Sequence, residues 1–230
     1  DSLTAELRGV AGFRLEQGDW IPDAKATAAG NRKALAAWLA RTRPAAVVVD
    51  VSVEVALLVR LHGVPVVSVV LPGVRDDAAH RLGHDVCDEL VGLWPAEATA
   101  TLLGVAPEVA GRVRALGGLS RFEVEAAPGR RRPGPPVVLP HAGQNALAEV
   151  AALRRPAVVV PAERPHGEQR CTGRVLAAGP WPAVVVPSLA AARWPDVLDE
   201  ARALDGSAWA GWVDGHAAAR FADVVEQVAR

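Results

Sequence analysis

Residues 43–70 read RPAAVVVDVSVEVALLVRLHGVPVVSVV and contain the strand–helix–strand pattern that decides the fold class. An apolar run over 45–49 precedes a helical stretch over 53–62, and a second apolar run covers 64–70. Uninterrupted Val-rich runs are typical of strands buried on both faces of a parallel sheet. Gly63 stands where such a helix would end. The segment therefore predicts a βαβ unit of an α/β protein.

The same alternation of strands and helices is predicted on both sides of a segment rich in Pro, Gly and Arg. That segment, residues 126–136 (AAPGRRRPGPP), has neither helical nor strand periodicity and is the best linker in the chain. Two α/β units are therefore expected, over 1–125 and 137–230. Further strands are predicted over 90–94, 112–116, 137–139, 157–160 and 183–186, and helices over 31–42, 146–155, 169–178 and 194–230.

The composition excludes several classes of protein. Half of the 230 residues are hydrophobic and 22% are charged, which excludes a disordered chain. A net charge of −1 gives no bulk attraction to nucleic acid or to an anionic membrane. Cys87 and Cys171 form neither a disulfide framework nor a metal-binding pair, and they are expected to be reduced core thiols. We expect a soluble, cytoplasmic protein, and the absence of Met predicts that the native start lies upstream.

The loop HAGQN at 141–145 lies between a predicted strand and a predicted helix. Gly143 allows backbone N–H groups to approach a ligand, and the helix N-terminus favours a phosphate. Glu149 follows one turn later on the same helical face, where a carboxylate suits the paired hydroxyls of a ribose. An ordinary strand-to-helix turn has the same local pattern, so the loop alone leaves both interpretations open.

A longer segment makes the interpretation more specific. Residues 141–169, HAGQNALAEVAALRRPAVVVPAERPHGEQ, resemble the donor-binding segment of GT-B glycosyltransferases, the group that contains the nucleotide-sugar-dependent and MurG-like enzymes. The likeness consists of the His-x-Gly-x-Asn loop, the Glu eight residues after the His, the Val-rich strand between prolines and the final Glu-Gln pair. Residues 43–67 and 116–122 resemble parts of the N-terminal domain of the same enzymes. The resemblance implies two Rossmann-like domains facing a cleft, with the acceptor domain first and the donor domain second.

The resemblance also implies a role for each matching residue. The loop residues would hold the diphosphate, Glu149 the ribose, and the Glu-Gln pair the transferred sugar. The implied reaction is sugar transfer, with inversion, from a nucleoside diphosphate sugar, UDP being favoured over TDP. It needs no metal and no cofactor besides this co-substrate, and the acceptor is a small molecule or a lipid-linked compound. The implied donor-binding residues are His141, Gly143, Gln144, Asn145, Glu149, His166, Glu168 and Gln169.

The sequence departs from the family at two places. Family members carry a Gly- and often His-containing loop after their first strand, where the catalytic base lies in many of them, and several βα units before the HAGQN-type loop. Neither feature is present, so an additional N-terminal stretch and a further block near Leu139 are expected in the native protein. Among the residues present, Asp50 and Glu54 are the best candidates to assist a base. Both also suit the N-terminus of a helix for purely structural reasons.

Alternatives to this function stay open at the level of sequence. His80 and His84 are one helical turn apart and could hold a metal, but a solvated or acceptor-side helix is the favoured interpretation and no metal site is predicted. A nucleotide-sugar 2-epimerase of the same fold would act on the donor without any acceptor. A non-catalytic GT-B-like binding protein would bind nucleotide weakly. Contact with a membrane surface is undecided.

Overall fold

The first sheet follows the predicted βαβ pattern. The computed structural model describes residues 24–124, 135–139 and 141–230, so the predicted linker lies outside the described residues apart from Pro135 and Pro136. In the described part, the strands are β1 (Val47–Asp50), β2 (Val66–Val70), β3 (Gly73–Val74), β4 (Glu89–Gly92), β5 (Leu103–Gly104), β6 (Val113–Ala115), β7 (Val137–Leu139), β8 (Ala157–Val159) and β9 (Ala183–Val185). Strands β1, β2, β4 and β6 pair in parallel in that order. All five residues of β2, Ser68 included, are buried, as is typical of a strand inside a parallel sheet.

Helices connect these strands. Those of the described part are α1 (Ala24–Thr42), α2 (Val53–Leu61), α3 (Ala78–Asp85), α4 (Thr99–Leu102), α5 (Pro107–Arg112), α6 (Gln144–Ala152), α7 (Glu168–Ala178), α8 (Trp194–Ala203) and α9 (Ala217–Val228). Short 3-10 turns lie at Ala96–Ala98, Pro165–Gly167 and Gly206–Gly211. Side chains determine where two helices begin. The hydroxyl of Ser52 accepts a hydrogen bond from the N–H of Val55 at the start of α2, and the carboxylate of Asp77 caps α3.

The second sheet is smaller and also parallel, with the order β7-β8-β9. A third, two-stranded sheet pairs β3 with β5. One buried hydrophobic cluster contains residues from both larger sheets, for example Val66 and Leu90 in the first sheet and Leu147 and Val159 in the second part of the chain. The two larger sheets therefore share a common hydrophobic core.

The C-terminal part of the chain differs from the single helical tail predicted over 194–230. The tail is divided because Asp205 accepts a hydrogen bond from the N–H of Ser207, and Gly206 lies so close to the carbonyl of Arg154 that a Cβ atom would be 1.9 Å from its oxygen. The last helix, α9, then packs its residue Phe221 against β2 and β4 of the first sheet. Residues of the predicted second unit thus cover one face of the first sheet.

Two further predictions can be compared with the structure. Cys87 and Cys171 are both free and buried, which confirms that they are core thiols. Across the described residues, we find no helix with the length and apolar character needed to cross a bilayer.

Candidate functional site

The loop that follows β7 leads directly into α6. Gly143 is the residue before the first turn of α6, and none of the described side chains caps this helix end. The N–H of Gly143 donates to Nδ1 of His141 over 3.4 Å, so the imidazole lies beside the loop. A Cβ atom on residue 143 would lie 3.1 Å from the same Nδ1, so a larger residue there would require a small shift of the imidazole. The open N–H groups of this helix terminus and its dipole can bind an anion.

Gln169 joins this loop to the next one. Its buried Oε1 accepts hydrogen bonds from the N–H of Ala142 (2.8 Å) and from the N–H of Ala162 (2.9 Å). These two donors fix the orientation of the amide, because only its oxygen can accept. The loops after β7 and β8 are therefore held together by one side chain, and the Nε2 group of Gln169 is the part that can contact a ligand.

A cavity of about 450 Å³ lies against these two loops. Its volume falls within the range of about 300–1,000 Å³ that is typical of small-molecule sites. Four residues predicted to bind the donor line it together with three that were not predicted. The lining residues are Arg75, His141, Gly143, Arg164, Pro165, Glu168 and Gln169.

Arg75 enters the cavity from the first half of the chain. Its side chain is 6% exposed, and its Nη2 lies 3.8 Å from Oε2 of Glu168. Its Nη1 donates to the carbonyls of Leu71 (3.2 Å) and Pro72. Burial lowers the pKa of Arg75, because removal from water disfavours the charged form, while the Glu168 carboxylate opposes this effect. Sequence reasoning missed this residue, although a cation five residues after the buried strand β2 was a usable signal.

Close backbone contact holds the two sides of the cavity together. Gly73 in β3 has φ +113°, and a Cβ atom there would lie 2.7 Å from the carbonyl oxygen of His166. His166 itself has φ +61°, and its Nδ1 lies 3.0 Å from the carbonyl of Val74. The His166 ring also meets the ring of His80 edge-on at 5.0 Å. His166, a predicted donor contact, thus contacts the first half of the chain through both its backbone and its ring.

The other predicted donor residues are on α6 but are not among the residues lining this cavity. Gln144 donates from Nε2 to the carbonyl of Leu93 (3.1 Å) at the end of the first sheet, and its buried Oε1 has no hydrogen-bond partner within the described structure. Asn145 is exposed. Glu149 forms an ion pair with Arg121, whose Nε lies 2.8 Å from Oε1 of the carboxylate. In the free protein, the predicted ribose contact is therefore paired with a cation.

The two candidate catalytic carboxylates lie near the carboxyl end of β1. The pKa of Asp50 is raised because partial burial disfavours its charged form. Val51, which follows it, has φ +66°, a conformation that is strained for a β-branched residue. Glu54 forms an ion pair with Arg32. Neither carboxylate is among the residues that line the 450 Å³ cavity.

His80 and His84 lie on the same helix but face different surroundings. Nδ1 of His80 is 2.6 Å from Oδ2 of Asp77, and the hydrogen bonds from His80 lower the pKa of Asp77 to about 2. Burial, followed by the charge of His80, lowers the pKa of His84. Within the described ranges, no group of three or more His, Cys, Asp or Glu side chains is arranged to hold a metal ion.

Comparison with known proteins identifies the fold. No protein-family model matches the chain, and no curated protein sequence matches it. Among solved structures, the crystal structure of Acinetobacter baumannii MurG matches 95% of this chain and 83% of its own chain, with a TM-score of 0.55 and 14% sequence identity. The chain has a GT-B-like fold. The open α6 terminus and the cavity thus belong to a GT-B-like α/β protein with parallel sheets.

Proposed function

We propose that this protein transfers a sugar from a nucleoside diphosphate sugar to an acceptor, with inversion and without a metal ion. UDP is favoured over TDP as the nucleotide, and the acceptor is a small molecule or a lipid-linked compound. The proposal rests on one observation: four residues line the same cavity, namely His141, Gly143, Glu168 and Gln169. The sequence resemblance independently implies donor binding by these four residues, and the likeness to MurG supports the same fold.

The charges of the cavity suit the diphosphate of such a donor. Arg75 and Arg164 line the cavity with Glu168 as the only acidic residue among the described lining residues, so this lining has an excess of positive charge. The open N–H groups at the start of α6 add donors that need no reorganisation. When the bond to the sugar breaks, negative charge builds up on the departing diphosphate. One preorganised donor of this kind is typically worth about 3–4 kcal/mol in the transition state.

Ribose binding by Glu149 requires a change in the partner of its carboxylate. The Glu149 carboxylate must exchange Arg121 for the ribose hydroxyls, or accept from both. Arg121 is 66% exposed, so this ion pair is worth only about 0.2–1 kcal/mol. Hydrogen bonds to a carboxylate typically contribute about 1.5–3 kcal/mol, which is sufficient to drive the exchange.

Calorimetric titration with UDP, TDP and GDP tests the proposed donor site. We expect micromolar binding of UDP, and weaker binding by an Arg164→Gln variant. Arg170→Gln is the matched control, because Arg170 is an exposed arginine of α7 that pairs with Glu163 at 3.5 Å and does not line the cavity. Absence of binding for all three nucleotides would contradict the proposal.

A non-catalytic nucleotide-binding protein is the second candidate. It is favoured by one observation: Asp50 and Glu54 do not line the cavity, and Glu54 is already paired with Arg32. Incubation with UDP-glucose and a panel of hydroxyl and amine acceptors separates the candidates. Release of UDP that depends on an acceptor supports the transferase, conversion of the sugar without acceptor indicates a 2-epimerase, and binding without turnover supports the non-catalytic protein.

A further inference from the structure

The unusual pairing of Arg75 points to a property of the donor sugar. We infer that the transferred sugar carries a carboxylate, as a uronic acid does, and that Arg75 binds this carboxylate. The inference rests on the proposed function, because it requires a sugar in the cavity beside Glu168 and Gln169. It adds the class of sugar, which the GT-B-like fold does not specify.

Arg75 is buried, and Glu168 faces it only as a long ion pair. A guanidinium–carboxylate hydrogen bond is usually about 2.7–2.9 Å long, whereas Nη2 of Arg75 lies 3.8 Å from Glu168. Its Nη1 is occupied by the two carbonyls of Leu71 and Pro72. Its buried Nε has no hydrogen-bond partner in the described part of the protein. A buried charge is costly unless an opposite charge is close, so this arrangement favours a ligand that brings an anion.

One edge of the guanidinium has the right shape for a carboxylate: its Nε has no described hydrogen-bond partner, and its Nη2 faces Glu168 at 3.8 Å. Nε and Nη2 form one edge of the planar group, and this is one of the edges that binds a carboxylate through two parallel hydrogen bonds. Arg75 lines the 450 Å³ cavity and is also the one described residue that it shares with a second, small cavity of about 20 Å³. The small cavity has room for about one water molecule, and therefore for one carboxylate oxygen.

The rest of the cavity lining offers mainly hydrogen-bond donors. Arg164 contributes a second guanidinium, and Gln169 can offer only its Nε2 group because Oε1 accepts from two backbone N–H groups. Glu168 is the one carboxylate acceptor of the described lining, and it already faces Arg75. Hydroxyl groups both donate and accept, whereas a carboxylate only accepts. A surface rich in donors therefore favours a sugar acid over a neutral hexose.

Titration of the full chain with UDP, UDP-glucose and UDP-glucuronate tests the inference. The two sugars differ at C6 alone, where glucuronate has a carboxylate in place of the hydroxymethyl group. We expect UDP-glucuronate to bind about ten- to a hundred-fold more tightly than UDP-glucose, the factor given by a charged hydrogen-bonded pair. Arg75→Gln should remove this preference, so that UDP-glucuronate and UDP-glucose bind equally, while the control Arg170→Gln should keep the preference.

The outcomes distinguish this inference from the proposed function. Equal affinities of the wild-type protein for the two nucleotide sugars overturn the inference, and this comparison holds even if Arg75→Gln does not fold. The inference is also overturned if Arg75→Gln lowers the affinity for all three ligands by the same factor, because Arg75 would then bind the diphosphate. Binding of UDP without any preference leaves the donor site standing, whereas absence of binding for every ligand overturns both proposals.

Discussion

The close approach at Gly73 leads to a prediction that can be worked out from the structure. A Cβ atom on residue 73 would lie 2.7 Å from the carbonyl oxygen of His166 and 3.2 Å from Cα of Glu168. Both are backbone atoms, so no side-chain rotation relieves the contact. In the Gly73→Ala variant, the turn Pro165–Gly167 must therefore move away from β3. That movement also separates Glu168 from Arg75.

The expected loss of stability has two parts. A φ of +113° costs a residue with a side chain about 1–3 kcal/mol, and overpacking at a tight contact costs about 1–3 kcal/mol more. Gly73→Ala should thus lower the free energy of unfolding by about 2–6 kcal/mol. The affinity for UDP should also fall, because the residues that line the cavity are on both sides of the displaced contact.

Two other glycines provide matched controls in the same urea unfolding and calorimetric assays. Gly63 has φ +72°, and a Cβ atom added there would have no described atom within 4 Å, so Gly63→Ala should cost only the backbone strain of about 1–2 kcal/mol. Gly111 lies in α5 with open space around it, and Gly111→Ala should be neutral or stabilising by up to about 1 kcal/mol. If Gly73→Ala costs no more than Gly63→Ala and binds UDP normally, the close approach does not hold the cavity together.

Three further predictions follow from single contacts. Gln169→Leu leaves one buried and one half-buried backbone N–H group without an acceptor and should cost at least about 1–3 kcal/mol in urea unfolding, with Gln169→Glu, which keeps the acceptor, losing less. Glu149→Ala should weaken UDP binding by about 1.5–3 kcal/mol, whereas Arg121→Ala should strengthen it slightly because the carboxylate is set free; unchanged calorimetric affinity in Glu149→Ala would refute the ribose contact. The pKa of Asp77 is lowered to about 2, against about 3.9 in an unfolded chain, so its contribution to stability is present above about pH 4 and is lost as the pH falls towards 2. In acid unfolding curves, Asp77→Asn should lack that part of the pH dependence, and an identical dependence in both proteins would exclude the hydrogen bonds to His80 as its source.

Most of the helices and strands were predictable from local patterns. The runs over 45–49 and 64–70 became β1 and β2 with shifts of one or two residues, because Val-rich runs favour strands. The expectation that the first run is buried on both faces was wrong, since among the described strands β1 lies at the edge of its sheet and Val48 is 40% exposed. The helix that starts at Gln144 begins two residues earlier than predicted, directly after Gly143. The short strands β3 and β5 were not predicted, since two residues carry no detectable periodicity.

The candidate site was predictable only in part. The residue types of the loop at 141–145 and of the Glu168–Gln169 pair indicated donor binding, and four of these residues line the cavity. Their partners could not be predicted, because Arg75 and Arg121 are far from them in the sequence and belong to the first half of the chain. The base candidates Asp50 and Glu54 stay predictions, as does the cytoplasmic location.

The sequence by itself determined the α/β class, the parallel strands and the helix terminus that opens towards a ligand. These features depend on side chains within a few residues of one another, where periodicity and capping preferences operate. Only the tertiary structure decided which cation faces Glu168, which residue forms an ion pair with Glu149, and that α9 covers the first sheet. Such choices depend on contacts between residues that are distant in the chain, and their energies arise only when the two sheets pack together.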